Sequence, residues 1–211
     1  MKTPDIRDTI AQVTKLGSQE DEQGYIWNLV GNKAGTYVDV GASHAWECSN
    51  TSHLYQRGWR GLLIEPNPYC WYGLLRDRPG DMLCPYAVSS TEGMAALRLS
   101  HSVSSIEETW PISETGRLMV EAKPLSKILE PYQDIRDRCL VCSIDVEGHE
   151  EHVLRGIDWE TFSPDVFVIE YRLYNADEFG PDISENWSFI LQDNGYMLWH
   201  KTNLNHIWKK R

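Results

Sequence analysis

The chain has 211 residues, 41% hydrophobic and 24% charged, which suits one globular domain with a full core. A formal net charge of −11 argues against a general duplex-nucleic-acid surface. No apolar run approaches the roughly 20 residues that span a bilayer, the N-terminus lacks the basic start and apolar centre of a signal peptide, and five cysteines without framework spacing point to a reduced, cytoplasmic setting.

In chain order, Thr3-Pro4-Asp5 reads as a helix start, with Ile6, Ile10, Val13 and Leu16 at helical spacing. Ser18 opens a second, acidic helix, with Asp21 completing a short capping box. Residues 1–33 are expected to form a helical extension packed on a main domain over 34–211. Thr36–Val40 is a β-branched and aromatic run, a buried strand that ends in the turn Gly41-Ala42-Ser43. Ser49-Asn50-Thr51 offers caps for a helix to about Arg57, stopped by Gly58. Gly61–Glu65 is the second strand, Pro66-Asn67-Pro68 a turn, and Trp71–Arg76 a helix.

Met82–Val88 is a strand interrupted by Pro85, hence an edge or an early end. Residues 89–123 are the least regular stretch, with strand-like runs at Met94–Leu99 and Arg117–Ala122; an excursion of this length inside an α/β unit suits a substrate-contact region. Pro124 starts a helix to about Glu130. Leu140–Asp145 and Val166–Glu170 are two more apolar strands, with a helix at Glu150–Arg155 between them. Glu185–Asp193 is a closing helix, and Tyr196–His200 and His206–Lys209 a final strand pair. Strand, turn and helix in repetition argue for a parallel sheet covered by helices on both faces.

Asp39, Glu65, Asp145 and Glu170 each close one of these strands. In a parallel sheet such ends share one edge, where open α/β folds bind ligands. Glu65 follows Asp39 by 26 positions, near the about 20 residues between a glycine turn and a ribose-binding acid in nucleotide-binding units. Several carboxylates buried together cost several kcal/mol unless a cation or hydrogen-bond donors compensate, so the edge suits a cationic or hydroxyl-rich ligand, or a divalent metal.

The ordered set Val38-Asp39-Val40-Gly41-Ala42, Ser49-Asn50-Thr51, Gly58-Trp59-Arg60-Gly61, Ile64-Glu65-Pro66-Asn67-Pro68, Ala87-Val88-Ser89 and Ser143-Ile144-Asp145-Val146-Glu147-Gly148-His149-Glu150 resembles the FkbM-type methyltransferases, a Rossmann-like, S-adenosylmethionine-dependent group. With Ser18-Gln19 and the acids after it, the resemblance covers about residues 18–200. Two positions depart from it: Ala45 stands where a glycine is expected, and His44 where an acid or asparagine is more usual.

The resemblance implies a Rossmann-like α/β methyltransferase fold, with a central, mostly parallel sheet and a C-terminal antiparallel strand. It implies that Asp39, Gly41, Ala42 and Ser43, with Asn50 and Thr51, hold the methionine part of the cofactor. Glu65 would take both ribose hydroxyls, Pro66, Asn67 and Ala87 would lie at the adenine, and Asp145 below the sulfonium. The acceptor would be a hydroxyl of a sugar, glycan or natural product. Its base is open among Asp145, Glu147, His149 and Glu170; alternatively, Asp145, Glu147 and Glu170 would hold a magnesium ion. The loop 171–183, with Tyr171, Arg172, Tyr174 and Phe179, is expected to shape the acceptor pocket together with 89–123.

A nicotinamide enzyme is disfavoured because the first turn lacks Gly-x-Gly-x-x-Gly; a non-catalytic module of the same fold is the other alternative. His149-Glu150-Glu151-His152 is one residue short of a zinc-protease motif. Cys139 and Cys142 have zinc-knuckle spacing but no second pair, and strand positions three apart should face opposite sides.

Overall fold

The computed structural model describes residues 17–100, 104–172, 174–175 and 178–211. The helix expected over Thr3–Leu16 lies outside them, as do residues 101–103 of the excursion. Helix α1 (Glu22–Val30) precedes the first strand, β1 (Thr36–Val40); then come α2 (Ser52–Gln56), β2 (Arg60–Ile64), α3 (Pro68–Asp77), β3 (Met82–Cys84) and β4 (Ala87–Val88). The excursion holds β5 (Gly93–Leu99), β6 (Ser104–Ser105) and β7 (Gly116–Lys123). Next are α4 (Leu125–Leu129), α5 (Gln133–Asp137), β8 (Cys139–Ile144), α6 (Glu150–Arg155), β9 (Val166–Glu170), β10 (Tyr174–Asn175) and β11 (Glu178–Phe179). A 3-10 turn (Ser184–Asn186), α7 (Ser188–Asp193), β12 (Tyr196–Lys201) and β13 (Asn205–Lys210) close the chain.

The main sheet has seven strands in the order β12-β13-β9-β8-β1-β2-β3. Strands β9, β8, β1, β2 and β3 run parallel; β13 adds antiparallel to β9, and β12 antiparallel to β13. The β1 and β9 runs are buried at every residue, which is why they read as continuous apolar stretches rather than alternating ones. One face packs Val38, Ile64, Ile144 and Phe167 against Leu125 of α4, Leu154 of α6 and Leu191 of α7. The other packs Tyr37, Leu63 and Val168 against Ile26 of α1, Leu54 of α2 and Leu74 of α3. The helices therefore cover both faces. From β1 the chain moves outward through β2 and β3, then returns to place β8 on the other side of β1. The strand order reverses there, between β1 and β8, the usual place of the ligand crevice in such sheets.

Several expectations are corrected. The Ser18–Asp21 capping box does not form. Ser18 Oγ accepts from the Gln23 N–H at 3.1 Å, while Asp21 stands at the cap in a left-handed conformation with no side-chain cap bond. Buried Glu22 accepts from Thr202 Oγ1 (2.8 Å) and Asn205 Nδ2 (3.0 Å), so tertiary partners near the C-terminus hold this end of α1. Residues 89–123 are not irregular: β5 and β7 pair from Gly93↔Ala122 to Leu99↔Gly116 and build a second sheet in the order β4-β7-β5-β6. Pro85 divides β3, at the edge of the main sheet, from β4, which joins the second. The closing helix is broken into the 3-10 turn and α7. Cys139 and Cys142 both pack into one core cluster, because the β1–β8 register skips Leu140 and that irregularity breaks the alternation. No described helix is long and apolar enough to cross a membrane.

Candidate active site

The C-terminal ends of β1, β2, β8 and β9 surround a cavity of about 320 Å³, within the size range of small-ligand sites. Asp39, Glu65, Asp145 and Glu170 all line it, with Glu147. So do Gly41, Ala42, Ser43 and Asn50 from the loop after β1, and Pro66, Asn67 and Ala87. Leu97 and Ser104 of the second sheet, with Ile106 just after β6, also line it. Among the described residues, no lysine or arginine lines it.

The turn after β1 needs glycine. Gly41 has φ +81°, and a Cβ there would collide with the Asp145 carbonyl oxygen, so β1 and β8 approach each other through the missing side chain. Ser43 follows with φ +41°, which aims its N–H at Glu65 Oε2 (2.8 Å). The Asn67 N–H reaches Glu65 Oε1 at 2.7 Å, and Asn67 Oδ1 caps α3 by accepting from the Tyr69 N–H at 3.1 Å. Each Glu65 oxygen thus has one backbone donor and keeps a lone pair for a ligand. Burial nevertheless pushes the Glu65 carboxyl up to about 7, against those two donors.

Asp39 is only 5% exposed. The Thr51 hydroxyl donates to its Oδ2, and Arg78 Nη1 lies 3.7 Å from the same oxygen. Arg78 is itself buried, donating from Nε to Asp81 Oδ2 (2.8 Å) and from Nη2 to Thr51 Oγ1 (3.0 Å). Burial raises the Asp39 carboxyl, and Arg78 opposes the rise. Thr51 is fully buried behind Asp39 and does not border the cavity; it positions the carboxylate instead. Asn50 Nδ2 donates to Ser143 Oγ (3.2 Å), while its Oδ1 is buried without a partner.

Carboxylate oxygens of Asp145, Glu147 and Glu170 lie within 4.8 Å of one another. Burial raises all three, Asp145 to about 6, Glu147 to about 8 and Glu170 well above the usual range; the Asp145 charge adds to the rise of Glu147 and Glu170, whereas Glu170 lowers Asp145. The charges of Asp145, Glu147 and Glu150 around Glu170 disfavour its ionisation. Glu147 sits at φ +56°, with the Trp110 indole N–H donating to Oε2 at 2.9 Å and the Ser105 hydroxyl donating to its carbonyl at 2.7 Å. Glu150 clamps the same turn from inside, accepting from the N–H groups of Val146 (3.1 Å) and Gly148 (3.3 Å).

His149, a candidate base by sequence, does not border the cavity. It stands at the N-terminal end of α6 without a side-chain cap bond, with Nε2 at 3.1 Å from Ser89 Oγ, and burial pushes it down to about 4. Tyr171 and Arg172 line a separate shallow depression with His200 and Lys201. The side chains of Tyr174 and Phe179 lie outside those described. Sequence reasoning missed Arg78, Trp110 and Ser105. Only the turn Pro79-Gly80 marks Arg78 as a helix-terminal residue, and nothing local marks the other two.

None of the curated proteins matches the chain's sequence. Among solved structures it is similar to the precorrin-6y C5,15-methyltransferase of Geobacter metallireducens, at 14% identity over 89% of this chain and 85% of that one, with a TM-score of 0.48. It is also similar to the 1,6-didemethyltoxoflavin-N1-methyltransferase of Burkholderia thailandensis, at 12% identity over 97% and 83%, TM-score 0.48. A TehB-like SAM-dependent methyltransferase of Corynebacterium glutamicum aligns at 12% identity over 90% and 88%, TM-score 0.45. The model of the methyltransferase FkbM domain matches residues 39–198, from the end of β1 into β12 and so across every strand-end acid of the cavity; the chain belongs to that family.

Proposed function

We propose that this protein transfers a methyl group from S-adenosylmethionine to a hydroxyl oxygen of a small molecule, sugar or glycan. The observation that carries this reading is the cavity wall: six carboxyl groups and no lysine or arginine among the described lining residues, at the point where the strand order reverses. Two acceptors on that wall, Asn50 Oδ1 and Glu170 Oε2, are buried without a partner, and a cationic, hydroxyl-bearing ligand would satisfy both.

Asp39 and Asn50 would hold the ammonium end, and Glu65 the ribose hydroxyls through its free lone pairs. Asn67 and Ala87 would border the adenine. When bound, S-adenosylmethionine supplies an electrophilic methyl on a cationic sulfur, which leaves as a neutral thioether. The chain aligns the acceptor, because loss of charge at sulfur leaves little for the protein to stabilise. Glu147 takes the proton from the acceptor hydroxyl; its carboxyl titrates near the operating pH, as a general base should. Leu97 and Ser104 of the second sheet, with Ile106 just after β6, face the acceptor. Five free cysteines suit a reducing compartment, the cytoplasm.

A second reading rests on the 4.8 Å cluster itself: Asp145, Glu147 and Glu170 would hold a divalent cation such as magnesium and acidify the acceptor. Methyl transfer that survives chelation by EDTA overturns it.

Calorimetry with S-adenosylhomocysteine tests the main reading. Wild type is expected to bind and Glu65→Ala to lose binding; no binding, or equal binding in the variant, overturns it. Transfer of labelled methyl into cell-extract acceptors should give a methyl ether, and label found on nitrogen or carbon overturns the hydroxyl assignment.

A further inference from the structure

Among the described residues, one cluster of metal-ligating side chains lies outside the cavity, between the excursion and the helix after β8. His149 and His152 stand on one face of α6, three residues apart, with their rings stacked at 4.3 Å and 17°. Glu107 comes from the excursion, two residues after β6, and its Oε2 lies 3.5 Å from His149 Nδ1. One potential ligand atom from each of the three falls within a 4.8 Å group. The sequence alone hides this site, because its third member is 42 residues upstream of His149.

The geometry points to Glu107, His149 and His152 as a binding site for a borderline divalent cation of the zinc type, which fastens the excursion to the helix that follows β8. Three observations carry the assignment. The donor set is two imidazoles and one carboxylate, a combination that holds zinc with an open fourth position. His149 is 8% exposed, yet its Nδ1 is buried without a hydrogen-bond partner and faces Glu107. Each histidine also has its other side supported. His149 Nε2 meets Ser89 Oγ at 3.1 Å and His152 Nδ1 meets Ser90 Oγ at 3.3 Å, leaving His149 Nδ1 and His152 Nε2 to face a metal. This is the arrangement in which ligating histidines donate their second ring N–H to an outer partner.

Metal–ligand bonds of about 2.0–2.2 Å put tetrahedral ligand atoms roughly 3.4 Å apart. The group must therefore contract by up to about 1.4 Å, within reach of the exposed His152 and half-buried Glu107 side chains. The consequence is mechanical. Glu107 follows Ser105, whose hydroxyl holds the Glu147 carbonyl, and precedes Trp110, which holds the Glu147 carboxylate. A cation here would fix the segment that orients Glu147, without entering the cavity. The assignment does not depend on the methyl-transfer reading.

The test uses the full chain, stripped of metal and titrated with cobalt(II) alone, then with zinc. The expected result is one cobalt per chain with visible absorption, no thiolate charge-transfer band, and displacement by one equivalent of zinc. His152→Gln, at an exposed position that should not disturb folding, and Glu107→Gln are each expected to weaken cobalt binding at least about tenfold. Glu147→Gln is expected to keep it. Zinc should slow amide hydrogen exchange in residues 104–110 of wild type but not of His152→Gln. The site is overturned by absence of saturable cobalt binding, by a thiolate band, by binding unchanged in both His152→Gln and Glu107→Gln, or by loss in Glu147→Gln alone.

Discussion

The carbonyl oxygen of Asp145 occupies the space a side chain on Gly41 would need. The Asp145 N–H also donates to the Val40 carbonyl at 3.0 Å, so the two strand ends are held together just where the acids emerge. Gly41→Ala would add a left-handed alanine, costing about 1–2 kcal/mol, and a collision with backbone that cannot rotate away. The expected loss of stability is at least about 2 kcal/mol. Loss of S-adenosylhomocysteine binding should accompany it, because the displaced turn also carries the Ser43 donor to Glu65. Urea denaturation and calorimetry check both; an alanine variant with wild-type stability would show that the strands are not so closely apposed.

The pH dependence of cofactor binding should follow Glu65. Burial raises this carboxyl from 4.5 unfolded to about 7 folded. Between those values the native state holds a proton the unfolded state has released. The group's contribution to stability is therefore complete below about 4.5, falls as pH rises toward about 7, and is level above. Ligand binding has the opposite sign, because the ionised carboxylate accepts the ribose hydroxyls. Affinity for S-adenosylhomocysteine should rise about tenfold per unit up to about pH 7 and then flatten. Glu65→Gln should bind at least about tenfold more weakly and lose that component of the profile. Calorimetry at about pH 6 and about pH 8 on both proteins separates this carboxyl from its acidic neighbours.

Arg78 is the buried counter-ion of the acidic edge. It pairs with Asp81 at 2.8 Å and approaches Asp39 at 3.7 Å, and all three side chains are at most 7% exposed. Arg78→Met fills similar volume but leaves two carboxylates unpaired, and should cost about 3–5 kcal/mol in urea unfolding. Asp81→Asn in the same chain should recover part of that loss, a coupling that a double-mutant cycle reads directly. Additive losses would place the effect of Arg78 in packing alone.

What the sequence disclosed and what it hid follow from the range of the forces involved. Strands β1, β2, β8 and β9 are continuous apolar runs closed by acids, so their burial and shared edge are legible locally. The second sheet is not. Met94 and Met119 are 63% exposed, and each strand finds its partner about 20 residues away, so neither periodicity nor turn chemistry reveals the pairing. Arg78 shows the same limit, since an arginine beside Pro79 reads as solvated until Asp39 arrives from another strand. His149 is a candidate base by sequence because an imidazole titrates in the useful range, and it lies four residues after Asp145. One turn separates them, and positive φ at Glu147 and Gly148 turns the chain so that Glu147 faces inward and His149 away.

Trp110 gives the sharpest test of Glu147. Its indole N–H donates to Oε2 at 2.9 Å, and its ring fills the space that a Cβ on Gly148 would take, so it both aims and acidifies the carboxyl. Trp110→Phe keeps most of the ring but removes the donor. Without it the Glu147 carboxyl should rise further, and the alkaline shift should appear in the pH profile of methyl transfer. Transfer near neutral pH should fall about tenfold, a fraction of the 10²–10⁴ that a general base contributes. Affinity for S-adenosylhomocysteine should change by less than about threefold, because Trp110 does not line the cavity. Equal losses in binding and transfer would instead make Trp110 a support of the whole pocket, and an unshifted profile would remove Glu147 from the proton transfer.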